Sequence, residues 1–132
     1  MVREHLVNTA RPFIYDTGLA PAAAGAALAA LQVLREHPEL TVRLHSNAAR
    51  LAAVCGVAAP AGAVMSVEMP GPFEAVDAVE RARARGIRIG CFRPPSTPDG
   101  SSRLRLTAHA DHAEHDLDRA CEVLAELTAS RG

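Results

Sequence analysis

The chain has 132 residues, 48% of them hydrophobic and 22% charged, with a formal net charge of −1. That is enough for one core, too short for two ordinary domains, and a poor composition for disorder or coiled coil. So small a charge supplies no global field for nucleic acid or an anionic membrane, and the apolar stretch from Leu19 to Leu31 is shorter than a membrane span.

Residues 1–10 mix Arg3, Glu4, His5 and Asn8 with apolar residues, so no signal peptide is expected. The segment reads as a weak helix that must end at Arg11-Pro12, because the residue before proline is pushed out of the helical region. Phe13-Ile14-Tyr15 then reads as a short extended run. Pro21 suits a helix's first turn, and Ala22 to Glu36 is a strong Ala-rich helix with Leu28, Leu31 and Leu34 down one side. His37-Pro38 stops it. A second helix is predicted from Glu39 to Cys55, with Gly56 closing it. After a loop over 58–63 the period changes: Met65, Val67 and Met69 alternate with Ser66 and Glu68, which predicts a half-buried strand. A helix from Phe73 to Arg85 is closed by Gly86. A second strand is predicted over 87–91, a proline-rich loop over 93–102, and a third strand from Arg103 to Ala108. The last helix carries Leu117, Cys121, Leu124 and Thr128 on one face, with Asp111 and Glu114 in capping-box spacing. The sum is an α/β fold of the layered α+β kind: two N-terminal helices, then β-α-β-β-α, with a three-stranded, mainly antiparallel sheet and helices on one face.

Cys55, Cys91 and Cys121 are odd in number and widely spaced, which suits buried thiols in a reducing cytoplasm. Asp16-Thr17-Gly18 spells the triplet of aspartic proteases, but that chemistry sits on all-β loops and here the triplet runs into a helix, so it reads as a turn. His109, Asp111, His112 and His115 gather metal-ligand types. A zinc site needs further ligands and a supporting shell, and polar residues are ordinary at a helix start, so a solvated cap and no metal are expected. Arg81, Arg83, Arg85 and Arg88 have no interleaved aromatic residue for base stacking and read as a wet helix face. Arg103 and Arg105 are two apart on a strand and point the same way, roughly 7 Å from each other. Their partner is either a carboxylate such as Glu68 on a neighbouring strand or a bound anion gripped by the guanidinium forks. Arg93 could bring a third positive group to the same place.

The segment Gly90-Cys-Phe-Arg-Pro-Pro-Ser-Thr-Pro-Asp-Gly-Ser-Ser-Arg-Leu-Arg-Leu-Thr-Ala-His-Ala-Asp-His112 resembles the C-terminal segment of the α-oxoamine synthases, in particular the branch that makes 8-amino-7-oxononanoate. Upstream, Ala10 to Pro21 resembles the stretch by which that family enters its small domain. The resemblance implies a pyridoxal phosphate enzyme of the aspartate-aminotransferase fold type, a cytoplasmic homodimer that condenses L-alanine with pimeloyl-CoA for biotin synthesis. It implies that Arg105 holds the amino-acid carboxylate, that Arg93 lies at the mouth of the site and helps place the acyl substrate, and that Thr17 reaches the cofactor phosphate of the neighbouring subunit. The position before Thr17, usually Thr or Ser in the family, is Asp16 here. The family's large domain, with its Schiff-base lysine, would precede Met1, so residues 1–20 are expected to be a linker from it and residues 21–132 the C-terminal small domain, inactive alone. A competing reading is a free-standing ligand-binding or oligomerisation module of ferredoxin-like type; neither reading expects nucleic acid or membrane as partner.

The 14 Lys+Arg residues are all Arg, and the chain holds no lysine. Chemistry that needs a side-chain amine is therefore closed to this chain alone. Mixing it with pyridoxal phosphate and reducing with borohydride should label the α-amino terminus only, read by peptide mass mapping; a stable label on an internal residue would contradict this.

Overall fold

The computed structural model describes residues 1–10, 18 and 20–129. The chain divides into two units, Met1–His37 and Pro38–Gly132. In the first, α1 spans Val2–Thr9 and α2 spans Pro21–Glu36. Pro21 sits in the first turn of α2, where its missing N–H costs nothing, and His37 leaves helical geometry at φ −127°, ψ 64°, just before Pro38. Neither helix has a buried residue; the predicted Leu28, Leu31 and Leu34 stripe stays exposed. Alanine has the highest helix propensity, so α2 holds its backbone without a buried face. Phe13-Ile14-Tyr15 and the Asp16-Thr17 turn lie outside the described residues.

The second unit contains α3 (Glu39–Val54), β1 (Val64–Met69), α4 (Pro72–Ala84), β2 (Gly90–Phe92), β3 (Ser102–Thr107) and α5 (Glu114–Ala129). The strands run β1-β3-β2, and both pairings are antiparallel. The chain must therefore leave β2 and return beside it as β3, which is the work of the proline-rich loop. Alternation does the sorting: Met65, Val67 and Met69 of β1 and Leu104 and Leu106 of β3 are buried, while the residues between them face the other way. Val67 and Leu104 are partners in register and both are fully buried. The helices close over that face. All three buried residues of α4 are alanines, Ala75, Ala78 and Ala82, whose short side chains bring its backbone close to the sheet. Leu117, Val123, Leu124 and Leu127 of α5 complete one core cluster with Leu51 and Cys55.

Ion pairs tie the helices at their rims. Arg50 of α3 donates to Glu114 and Asp118 of α5, and these carboxylates, Asp118 first, hold its guanidinium pKa above the ordinary value. Arg85, at the end of α4, donates to Glu126 of α5, and Arg119 Nη2 donates to the Arg85 carbonyl at 2.5 Å. Arg81 pairs with Asp77 one turn earlier at 3.6 Å. Two members of the arginine run, Arg81 and Arg85, thus make helix-rim contacts.

Three details differ from the expectations. The second strand is only Gly90–Phe92, because those are the residues opposite Arg105, Leu104 and Arg103; Ile87 and Ile89 leave the ladder and pack against the core. The predicted Asp111/Glu114 capping box does not form. The helix begins at Glu114, with the Ala113 carbonyl accepting from Asp116 and Leu117, and the Glu114 side chain is spent on Arg50. Of the three cysteines only Cys55 is buried; Cys91 and Cys121 are half-buried, and burial pushes the Cys121 thiol pKa up.

Two substitutions test this architecture by urea unfolding. Leu104→Ala should cost about 2–5 kcal/mol, since it empties a site with no exposure. Gly86 takes φ +78°, and an added Cβ would meet Arg119 Nη2 at 3.3 Å, so Gly86→Ala should cost about 1–2 kcal/mol. A Leu104→Ala midpoint equal to wild type would contradict the core assignment.

Candidate active-site face

Opposite the core, the sheet presents Ser66 and Glu68 of β1, Arg103, Arg105 and Thr107 of β3, and Gly90 and Phe92 of β2. Register fixes the neighbours: Arg105 lies between Ser66 and Gly90, and Arg103 between Glu68 and Phe92. The two arginines, equivalent in sequence pattern, have different surroundings.

Arg103 is engaged within its own loop. Its Nη2 donates to Asp99 Oδ2, and its Nε donates to the Ser101 hydroxyl at 2.6 Å. Asp99 Oδ1 accepts from the Ser101 hydroxyl at 2.7 Å and from the Ser101 backbone N–H at 3.1 Å. These bonds, the Ser101 hydroxyl first, pull the Asp99 carboxyl from 3.8 down to about 2. The group is exposed and its contribution to stability correspondingly small; what there is holds above the ordinary value and is lost only as pH falls toward 2. The cluster is therefore charged throughout the physiological range. Glu68 is Arg103's partner in register, yet the ion pair of Arg103 is with Asp99, four residues away along the chain.

Arg105 is exposed, and among the described residues no carboxylate pairs with it. Its guanidinium carbon lies 4.9 Å from the centroid of the Phe92 ring. Gly90 lies beneath it: a Cβ there would rest in ordinary contact with Arg105 Cβ at 3.4 Å and Nε at 3.6 Å, and a larger side chain would compete for the space the arginine crosses. Arg105 also separates two cavities. One, of about 510 Å³, is lined by Ser66, Phe92, Pro98, Asp99 and Arg103. The other, of about 710 Å³, is lined by Arg88, His109, His112 and Asp116 above an apolar floor that includes Ile89 and Leu117. Arg105 lines both.

Arg93, the first residue after β2, is exposed and lines neither cavity; its carbonyl accepts from Ser96 N–H at 2.9 Å. Thr17 lies outside the described residues. The His109 and His112 rings meet edge to face at 5.3 Å, and His115 Nε2 lies 3.4 Å from Asp116 Oδ1. Among the described residues no group of three or more His, Cys, Asp or Glu is placed to hold a metal ion, and no helix is long and apolar enough to cross a membrane. The sequence reading missed Gly90 and Phe92 as the surroundings of Arg105; the signal was their place two apart on the strand that must pair with β3.

The open face of this layered sheet thus carries one arginine bound within its own loop and a second exposed beside it. The family model for aminotransferase class I and II matches residues 1–124, and the chain belongs to that family. It is 52% identical over 131 residues to the 8-amino-7-oxononanoate synthase of Mycolicibacterium vanbaalenii, covering 98% of this chain and 34% of that protein. To the enzyme of the same name from Mycobacterium sp. (strain JLS) it is 54% identical over 132 residues, covering 98% of this chain and 35% of the other. The chain thus spans about a third of the length of the curated relatives it matches. Among solved structures, 8-amino-7-oxononanoate synthase from Francisella tularensis superposes with a TM-score of 0.68 at 24% identity, over 95% of this chain and 38% of the other. Serine palmitoyltransferase from Sphingomonas wittichii superposes with a TM-score of 0.76 at 21% identity, over 98% and 34%. At those identities they show the shared fold.

The histidine cluster yields a direct check. A metal that bound only the folded chain would raise its melting temperature. EDTA should leave Tm unchanged; a clear drop would contradict the reading of these residues as a solvated helix entry.

Proposed function

We propose that the chain is the C-terminal small domain of a pyridoxal phosphate-dependent acyltransferase that condenses L-alanine with pimeloyl-CoA, releasing carbon dioxide and CoA, to give 8-amino-7-oxononanoate for biotin synthesis. In this reading residues 1–20 connect from a large domain, residues 21–132 form the small domain, and the enzyme is a cytoplasmic homodimer. The relatives' names support the reaction class. The observation in the structure that carries it is Arg105, an exposed guanidinium resting on Phe92 with no carboxylate partner among the described residues.

Magnitudes favour a carboxylate as its ligand. An exposed cation–π contact is worth about 0.5–1 kcal/mol. A hydrogen bond to a charged group is worth about 1.5–3 kcal/mol, and the planar fork of an arginine can make two to one carboxylate. An incoming amino acid would therefore draw Arg105 off the ring. Held by that fork, the carboxylate fixes the direction in which the amino-acid Cα presents its hydrogen. Arg93, at the loop's edge, helps place the acyl substrate, and Thr17 contacts the cofactor phosphate of the neighbouring subunit.

Pyridoxal phosphate, when bound, supplies an electron sink for the amino-acid Cα. The described residues fit the substrate side of such a site. With no lysine in the sequence, this chain has no side-chain amine to hold the cofactor covalently. That anchor belongs to the large domain, and this chain alone is inactive.

In the complete enzyme, Arg105→Lys should raise KM for L-alanine and lower kcat, reducing kcat/KM by about 10²-fold, because an ammonium cannot reproduce the fork. Cofactor binding, read by absorbance, should survive. Arg81→Lys, on the far rim of α4, is the control and should match wild type. Normal alanine kinetics in Arg105→Lys would overturn the assignment.

A further inference from the structure

The loop between β2 and β3 has little means of holding its own shape. Pro94, Pro95 and Pro98 have no N–H to donate. The loop's backbone bonds are Ser96 N–H to the Arg93 carbonyl at 2.9 Å and Gly100 N–H to the Thr97 carbonyl at 3.3 Å. Side chains add the rest: Thr97 Oγ1 donates to the Ser101 carbonyl at 2.7 Å, and Asp99, Ser101 and Arg103 close a three-membered cluster. The Ser101 hydroxyl donates to Asp99 and accepts from Arg103, so neither of the other two can move without breaking a bond to it.

The cluster is rooted in the central strand. Arg103 lies on the central strand between Ser102 and Leu104, both buried. Its two ion-paired side chains are 36% and 50% exposed, and exposed pairs contribute little to global stability. What the bonds fix is position. Thr97, Pro98 and Asp99 form the wall of the cavity that Arg105 lines, and the loop begins at Arg93.

We infer that Asp99, Ser101 and Arg103 act as positioning residues: they latch the proline-rich loop to the central strand and so hold the wall of the Arg105 cavity in place for substrate. This rests on the proposed function in assigning substrate to that cavity; the latch itself does not. Arg103 is thereby a support for the site and not a second carboxylate ligand. Two neighbouring arginines with one sequence signature divide the work, one gripping the loop and one left for the ligand.

Two measurements test it. Amide hydrogen exchange of the peptide covering residues 93–101, in the chain as it stands, reads the latch. Steady-state kinetics of the complete enzyme read its consequence. Asp99→Ala and Ser101→Ala should each speed exchange in that peptide roughly tenfold while leaving exchange in β1 and Tm unchanged. Each should raise KM for the amino acid roughly tenfold with a smaller change in kcat. Ser101→Thr, which keeps the hydroxyl, should restore both. Unchanged loop exchange in both alanine variants would overturn the latch, and a loosened loop with unaltered KM would overturn its positioning role. Should the wild-type enzyme prove inactive on L-alanine and pimeloyl-CoA, the proposed function fails, and the exchange arm still decides the latch.

Discussion

The alternation along β3 is the constraint on which the candidate site depends. Leu104 and Leu106 must point into the core, fully or almost fully buried against Val67, Met65 and the helices. With a period of two, Arg103 and Arg105 have no choice but the open face. A slip of one residue would bury two guanidiniums and expose two leucines, a change no local rearrangement could offset. The hydrophobic core thus sets where the positive charge is displayed.

From that placement the rest follows by local chemistry. Gly90 leaves room for Arg105 to lie across β2, and Phe92 gives it a surface to rest on. Arg103, one pleat away, is taken up by Asp99 and Ser101. The helix pairs that support the sheet are held at their rims by Arg50 and Arg85, which span α3 to α5 and α4 to α5. None of those rim contacts reaches the open face.

Much of this was legible in the sequence. The strands at 64–69 and 102–107 could be read because each alternates cleanly, and the helices at 39–54, 72–84 and 114–129 because their apolar residues recur at helical spacing. The limits of β2 were not legible: Ile87 and Ile89 carry the same alternation as a strand, and only the register with Arg103 to Arg105 shows that pairing starts at Gly90. The leucines of α2 have the spacing of a buried face and are exposed. In the site, the arginine pair was evident, but its division was not. Arg103 and Asp99 are four apart across a turn, and no strand or helix period connects residues in a loop. The role proposed for Arg105 came from family resemblance, and its position on Phe92 from the fold.

The central claim is that Arg105 is the carboxylate-holding group of this face. A crystal structure of the complete enzyme with its cofactor and L-alanine tests it most directly. The account predicts the Arg105 guanidinium turned away from Phe92, with two nitrogens about 2.8 Å from the substrate carboxylate, and Arg103 still bound to Asp99 and Ser101. A carboxylate held by another side chain, with Arg105 still on the Phe92 ring, would contradict it.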